Sequence, residues 1–329
     1  MARRHSIGRL ISILAILAMV RFPAFSTENA GSAPLGLSGN RSDEARTALA
    51  AKGAVAQRFR TAKNYVLFYG TPNETTMENL STYDIVVLEP QALGPNAKAR
   101  IAALRATGTI VIGYMSFFEV AEWHRYRSRV NPEWTICIDG KAWEPWGKNH
   151  AMTLASTGWR KMLCELLQSE VLDYGCDGVF MDTLADLDHP ALPEEMRKLE
   201  LEGLSALMKE LRKRYPQTLL IPNWTIQKTL SVVSPYADAI CWEDFSPLHF
   251  EDRETESWMR KNVERIGAER RKRTEPLLIL TLWDAPAGMD AERKNELFGK
   301  MRTISASFGY LPYPLTGGYQ QQPTALGGL

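Results

Sequence analysis

The chain has 329 residues, of which 45% are hydrophobic, and a formal net charge of +1. If an export segment and leader precede the folded part, about 270 residues remain, which suits one (β/α)8 barrel or two smaller domains. The near-neutral charge gives no support to a nucleic-acid partner.

The first 26 residues have the pattern of a secretory signal. Arg3 and Arg4 supply the positive start, and Leu10–Val20 is a run of eleven residues that is apolar except for Ser12. Ala24 and Ser26 offer small side chains at the two cleavage positions. The run is shorter than the roughly 20 apolar residues that span a bilayer. We therefore expect export to the periplasm or the extracellular space, with no integral membrane segment after the signal is removed. Retention as an uncleaved anchor is the alternative.

Residues 27–60 are predicted to be a linker followed by a leader helix. The linker is rich in Ser, Gly, Pro and Asn, and the helix begins at the N-cap residue Ser42 and runs to Arg60. The remaining boundaries follow from the strand pattern: a barrel over residues 61–320 and a tail over residues 321–329.

Eight short apolar runs alternate with helical or loop-length stretches, as in a βα repeat. The predicted strands are Tyr65–Tyr69, Ile85–Leu88, Ile110–Met115, Val179–Met181, Leu219–Ile221, Ala239–Trp242, Leu277–Leu282 and Ser305–Leu311. Glu194–Arg214 and Asp252–Arg273 are examples of the helices between them. The fold prediction is an α/β protein with a (β/α)8 TIM-type barrel. An open doubly wound sheet is the alternative, but the sequence has no glycine-rich nucleotide motif.

The fourth strand shows the βα pattern most clearly. Leu166–Tyr174 is predicted to be a helix that ends at Gly175, and the apolar strand Gly178–Met181 leads to Asp182. Residues at the carboxyl end of a barrel strand face the active-site mouth. Asp177, at the other end of the strand, is assigned a structural role.

One connection is much longer than usual. About forty residues separate Glu119 from the helix near Trp159, and long loops in compact domains are usually functional. Within it, Asp139-Gly140 between Thr135–Ile138 and Lys141–Trp143 predicts a small hairpin. We therefore expect a decorated loop after strand 3 on the mouth side of the barrel.

Cysteine and histidine spacing gives no metal signature. The four cysteines contain no C-x-x-C pair, and no histidine has a neighbour at ligand spacing. Cys241 lies inside an apolar strand and is expected to be a buried free thiol. Neither a metal nor another cofactor is predicted.

Carboxylates recur at the ends of the predicted strands: Glu89, Glu119, Asp182, Glu243 and Asp284. Polar or aromatic side chains accompany them: Tyr69, Tyr114, Asn223, Trp224 and Trp283. One strand-end Asp is commonly a cap for the next helix. Five carboxylates converging on one mouth repel each other and shift their pKa values, which indicates a functional site. Glycoside hydrolysis uses two such carboxyl groups and needs no metal.

Several segments together resemble glycoside hydrolase family 114. They are residues 69–70 (Tyr-Gly), 84–90 (Asp-Ile-Val-Val-Leu-Glu-Pro), 108–119, 175–183 (Gly-Cys-Asp-Gly-Val-Phe-Met-Asp-Thr), Asn223 and Glu243. The resemblance covers roughly residues 64–312 and is carried by the order and spacing of the segments. The activity named for this family is endo-α-1,4-polygalactosaminidase, and the hydrolase domain of the Pel polysaccharide system is similar. The resemblance implies that Asp182 and Glu243 are the catalytic pair.

Two departures from the family pattern bear on the sugar that is accepted. Phe118 stands where the family usually has Gly, so its ring is expected to narrow a subsite, and Glu89-Pro90 replaces the usual Asp-Pro. Both changes leave Asp182 and Glu243 in place.

The sequence thus predicts a secreted glycoside hydrolase that cleaves an α-linked amino-sugar polysaccharide. Asp182 is the expected nucleophile or base and Glu243 the general acid, or the reverse, and both retention and inversion stay open. The expected substrate contacts are Tyr69, Glu89, Tyr114, Glu119, Asn223, Trp224, Trp283 and Asp284. The alternatives are a non-catalytic carbohydrate-binding barrel and a glycosidase for a different α-glycan.

Overall fold

A computed structural model describes residues 53–286, 288–315 and 318–326. The predicted signal and most of the predicted linker and leader helix lie outside these residues. Residues 53–60 are helical, in agreement with the last part of the predicted leader helix. Within the described ranges, no helix has the length and apolar character needed to cross a membrane.

Strands and helices alternate along the chain. The parallel strands are β1 (Tyr65–Phe68), β2 (Ile85–Leu88), β3 (Ile110–Ser116), β4 (Gly178–Asp182), β5 (Leu219–Pro222), β6 (Ala239–Trp242), β7 (Leu278–Asp284) and β8 (Leu311–Leu315). The helices are α1 (Glu74–Leu80), α2 (Ala97–Ala106), α3 (Thr157–Glu170), α4 (Glu194–Arg214), α5 (Leu230–Val233), α6 (Arg253–Arg271) and α7 (Ala291–Ser307). The predicted helices over 194–214 and 252–273 are confirmed, the second beginning at the N-cap Asp252.

The eight strands form two parallel sheets in sequential order. Strands β1–β5 make a five-stranded sheet, β6–β8 make a three-stranded sheet, and a single parallel bridge between Asn223 and Cys241 connects them. Strands β1 and β8 are neighbours, with the rings of Tyr65 and Tyr313 5.5 Å apart. The described residues contain no hydrogen-bonded ladder between these two strands.

The strands are apolar on both faces because helices and the other strands cover them. All four residues of β1, β2, β5 and β6 are buried. Continuous burial of short Val, Ile and Leu runs is typical of parallel sheets. The side chains that remain for chemistry are therefore those at the strand ends.

The position of the eighth strand differs from the prediction. Ser305 lies in α7, Gly309 (φ 66°) follows the helix end, and the strand is Leu311–Leu315 instead of Ser305–Leu311. Pro312 and Pro314 are two residues apart, so they remove backbone donors from the same edge of β8. A strand that pairs through a ladder on one side only tolerates this loss.

The long loop after β3 contains two small antiparallel pairs. Glu119–Ala121 pairs with Asn149–Ala151, and Cys137–Ile138 pairs with Lys141–Ala142. The predicted hairpin at Asp139-Gly140 is confirmed, and both residues have the positive φ that a type I′ turn requires (53° and 75°).

Asp177 anchors the amino end of β4. Its carboxylate accepts a hydrogen bond from the Val111 backbone N–H (3.0 Å) and forms an ion pair with Arg105 (2.9 Å), with its side chain only 5% exposed. The structural role predicted for Asp177 is confirmed by these contacts.

Replacing Asp177 with Ala should destabilise the fold without changing the strand-end site. Loss of a charge-assisted hydrogen bond leaves the Val111 N–H without its partner, which costs about 2 kcal/mol. The melting temperature should fall by roughly 4–8 °C, measured by thermal denaturation. Asp173→Ala, at an exposed aspartate, is the control and should change stability by less than about 0.5 kcal/mol. Equal shifts in the two variants would contradict the anchoring role.

Candidate active site

A cavity of about 1160 Å³ opens at the carboxyl ends of the strands. Eight of the ten predicted site residues line it: Tyr69, Glu89, Tyr114, Glu119, Asp182, Asn223, Trp224 and Glu243. They lie at or just after the carboxyl ends of β1 through β6, and the side chains at these ends face the mouth of a parallel barrel. The two sheets therefore contribute to one site.

Trp283 and Asp284 do not line the cavity. Trp283 is buried and packs edge-on against Phe298 of α7, and Asp284 is exposed at the end of β7. Phe118 is also outside the lining: its ring is buried against Trp143, so it does not narrow a subsite as expected. The rings of Trp283 and Phe118 pack the scaffold around the cavity.

The Asn223 amide bridges the two carboxyl groups that the sequence singled out. Its Nδ2 donates to Asp182 Oδ1 (2.9 Å) and to Glu243 Oε2 (2.7 Å). Because both distances meet at one nitrogen, these two oxygens are at most 5.6 Å apart, the sum of 2.9 Å and 2.7 Å. Asp182, Asn223 and Glu243 are called the bridged trio below.

Two tyrosines bind the other carboxyl oxygens of the bridged trio. The Tyr114 hydroxyl donates to Asp182 Oδ2 (2.8 Å), and the Tyr319 hydroxyl donates to Glu243 Oε1. Burial and the adjacent carboxylates raise the pKa of both tyrosines, so both remain protonated donors. Every carboxyl oxygen of Asp182 and Glu243 therefore accepts a hydrogen bond from the protein, which fixes both orientations.

Glu243 has the environment of a group that carries a proton. Burial raises the pKa of its carboxyl, hydrogen bonds from Tyr319 and Asn223 oppose that rise, and the charge of Asp182 adds to it. The net direction is upward, so Glu243 stays protonated to higher pH than an ordinary glutamate. A general acid requires this property.

The backbone is strained directly after each member of the bridged trio. The following residue is left-handed in all three cases: Thr183 (φ 66°), Trp224 (φ 48°) and Asp244 (φ 55°). Among the described non-glycine residues, the only other positive φ belongs to Asp139 in the hairpin turn. Such conformations are costly and concentrate at functional sites, where they aim side chains.

A second pair of acids, Glu119 and Asp186, lies in the cavity wall. Glu119 Oε2 accepts from Asn149 (3.1 Å), and Asp186 Oδ1 accepts from the Trp146 indole N–H. Burial and the adjacent Glu119 raise the pKa of Asp186 to about 8. One oxygen of each carboxyl, Glu119 Oε1 and Asp186 Oδ2, receives no donor within the described part of the chain. Burial also raises the pKa of Glu119, and one proton shared between these adjacent carboxyls would satisfy both oxygens.

Asp186 and Tyr319 were not identified from the sequence. Asp186 lies in the 3₁₀ turn Leu184–Asp188, four residues after Asp182, and that spacing from a strand-end acid was an available signal. Tyr319 lies beyond β8 in a stretch without periodic pattern, and the sequence carries no signal for its contact with Glu243.

Comparison with solved structures relates the fold to glycoside hydrolases. The glycoside hydrolase domain of PelA from Pseudomonas aeruginosa is 20% identical with a TM-score of 0.63, over 79% of this chain and 97% of that one. Aspergillus fumigatus Ega3, solved in complex with galactosamine, is 13% identical with a TM-score of 0.55, over 80% of this chain and 94% of that one. A maltogenic α-amylase from Thermotoga neapolitana is 12% identical with a TM-score of 0.51, over 81% and 70%. No curated protein sequence matches the chain significantly.

The family match gives the class of protein, that of the glycoside hydrolases. Residues 44–247 match the model of glycoside hydrolase family GH114, which is more than half of the chain. The chain belongs to family GH114. The match includes the bridged trio, and it ends before Asp284 and Tyr319.

Proposed function

We propose that the protein is an exported, endo-acting glycoside hydrolase that cleaves an α-linked amino-sugar polysaccharide with Asp182 and Glu243. The observation that carries the proposal is the Asn223 amide, which holds one oxygen of each carboxyl group within 5.6 Å of the other in the cavity lining. The scaffold would be a closed (β/α)8 barrel over residues 61–320. The protein would be exported first and would act in the periplasm or outside the cell.

The short separation favours retention of the anomeric configuration. Retaining glycosidases keep their two carboxyl groups about 5–5.5 Å apart, whereas inverting enzymes need about 6.5 Å or more to admit a water molecule. Asp182 is then the nucleophile, and Glu243, with its raised pKa, is the acid and base.

The reaction proceeds in two balanced steps. An Asp182 oxygen attacks the anomeric carbon, the bond to the glycosidic oxygen breaks, and the Glu243 proton moves to that oxygen. A water molecule then gives its proton to Glu243 and attacks the anomeric carbon, which breaks the ester to Asp182 and restores both groups. Tyr114 and Asn223 orient the Asp182 carboxylate for the attack.

The charge of the cavity favours a cationic sugar. Among the described residues, eight carboxyl groups line it: Glu89, Glu119, Glu170, Asp182, Asp186, Asp188, Glu243 and Asp244. Arg125, the one arginine in the lining that the described ranges contribute, is paired with Glu170. A negatively charged cleft concentrates positively charged ligands, which supports a galactosamine polymer with free amino groups as the substrate.

Two exposed aromatic side chains extend the cavity surface. Trp123 is 84% exposed and Trp146 is 70% exposed, although both line the cavity. Large exposed aromatic faces at a cleft are suited to stacking on sugar rings. They support binding of several sugar units, as an endo-acting enzyme requires.

The test uses a panel of purified polymers and counts new reducing ends. The panel contains α-1,4-polygalactosamine, its fully N-acetylated form, a partly acetylated galactosaminogalactan and neutral α-1,4-glucan. We expect hydrolysis of the polymers with free amino groups, with α-configured products by proton NMR at early times. Cleavage of the neutral glucan alone would overturn the substrate proposal, and β-configured products would overturn retention.

A further inference from the structure

Residues 318–326 form a segment that holds Tyr319 against the candidate acid. The segment lies along β1 and α1 through hydrogen bonds from Tyr69 N to Tyr319 O (2.7 Å), from Asn79 to Pro323 O (2.9 Å) and from Tyr83 to Thr324 O (2.9 Å). Asn73 donates to the Gln322 side chain (3.2 Å), and Leu326 N donates to Thr82 (2.9 Å). These residues are called the C-terminal strap below.

The strap places the Tyr319 ring in the cavity wall. The ring stacks on Tyr69 with centroids 5.4 Å apart and planes inclined by 15°, and its hydroxyl donates to Glu243 Oε1. The ring position is therefore fixed by the stack and by the backbone bond to Tyr69, and the hydroxyl has Glu243 as its partner.

A hydroxyl can both donate a hydrogen bond to Glu243 and accept one from it, whereas an amide N–H can only donate. Asn223 Nδ2 only donates, so its contact suits the ionised carboxylate. The Tyr319 hydroxyl donates to the carboxylate and, after rotation about its C–O bond, accepts from the carboxylic acid. It can therefore keep its contact with Glu243 in both protonation states through which an acid and base must pass.

We propose that Tyr319 is a positioning residue that holds Glu243 through both proton transfers, and that the C-terminal strap holds the Tyr319 side chain beside Glu243. This inference rests on the proposed role of Glu243 in glycoside hydrolysis. The strap lies outside residues 44–247, so the part of the chain that matches the family model does not contain this group.

The test is Tyr319→Phe in the full chain, assayed on the polymer that the unsubstituted protein cleaves. The ring and its stack on Tyr69 remain, and only the hydroxyl is lost. We expect kcat to fall about 10- to 100-fold with KM nearly unchanged, since one charge-assisted hydrogen bond is lost. The alkaline limb of the pH profile should move to higher pH, because the hydrogen bond favours the ionised form of Glu243 and its loss raises the pKa further.

Tyr83→Phe is the matched control. It removes a tyrosine hydroxyl that donates to the strap, at the bond to Thr324 O, without touching Glu243. We expect its kcat and pH profile to match those of the unsubstituted protein. A Tyr319→Phe profile that superimposes on the Tyr83→Phe profile would overturn the positioning role.

A second measurement keeps the Tyr319 hydroxyl and changes only its strength as a donor. Incorporating 3-fluorotyrosine at position 319 strengthens the phenol as a donor at almost constant volume. The alkaline limb should then move to lower pH, opposite to Tyr319→Phe, and an unchanged limb would count against the inference. Failure here is separable from failure of the proposed function: if Glu243→Gln keeps full activity, the catalytic assignment is wrong whatever Tyr319 does.

Discussion

Glu243→Gln should lower hydrolysis of the polymer by at least about 10³-fold, and Asp182→Asn should lower it as much or more. Both replacements keep the shape of the side chain, and Asn223 still bridges the two positions through the remaining oxygen acceptors. The loss is therefore chemical: one variant has no proton for the leaving oxygen and the other has no nucleophile. Initial rates of reducing-end release, with melting temperatures as a check on folding, measure this.

An activated substrate separates the two roles. An aryl glycoside with a good leaving group needs no acid for the first step, so Glu243→Gln should still form the glycosyl ester and release the phenol in a burst. Added azide should intercept that ester and give a glycosyl azide. Asp182→Asn should show neither the burst nor azide capture by the same route. The reverse pattern would exchange the assigned roles.

Glu89→Gln is the control for charge in the cavity. Glu89 lines the cavity at the end of β2 and does not contact the bridged trio by a hydrogen bond. Its replacement removes a carboxylate of the same type and should change the rate by less than about 10-fold, mainly in KM. A 10³-fold loss in this variant would mean that cavity charge, and not the bridged pair, determines the rate.

Asp186→Asn should stabilise the protein at alkaline pH. The pKa of Asp186 is about 8 when folded, against about 3.9 in an unfolded chain. Below pH 4 both states hold the proton, so Asp186 contributes no pH dependence there. As pH rises from 4 to 8, the unfolded state gives up its proton first, and stability falls. An asparagine has no proton to lose and can donate to Glu119 Oε1, so this loss is removed.

The expected result is a melting temperature difference that grows with pH. Asp186→Asn and the unsubstituted protein should melt close together at pH 4, and the variant should melt about 5 °C higher or more at pH 8. Glu119→Gln removes the other member of the pair and should flatten the same part of the stability curve. A constant difference across pH 4–8 would show that the two carboxyls do not share a proton.

Much of the site could be predicted because the residues at the carboxyl ends of parallel strands lie together at one edge of the sheet. Burial of both strand faces leaves polar residues at the strand ends, and the carboxyl ends face the mouth, so Asp182 and Glu243 were recognisable from an apolar run followed by an acid. The same rule located Asn223, but not its bridging contact. Which acceptors one amide reaches depends on the spacing of three strands, and no single segment of sequence encodes that spacing.

The failures have a common cause in contacts between distant parts of the chain. Trp283 continues β7 and has the same strand-end pattern as Trp224, yet one packs on α7 and the other lines the cavity. The eighth strand was misplaced because Pro312 and Pro314 are typical strand breakers unless one edge of the strand lacks a ladder. Tyr319 reaches Glu243 across 76 residues, and its position depends on the whole sheet order.

The bridging amide has a consequence for how the protein is produced. Asn223-Trp224-Thr225 is an N-x-T acceptor sequence for N-linked glycosylation. A secretory host that glycosylates proteins can modify Asn223 before the chain folds. An N-linked glycan replaces one of the two hydrogens on Nδ2, and both hydrogens are used here, one toward each carboxyl group. Material from such a host would lose activity in proportion to glycan occupancy at Asn223. Thr225→Val removes the acceptor sequence at small cost, because the buried Thr225 hydroxyl has no partner among the described residues.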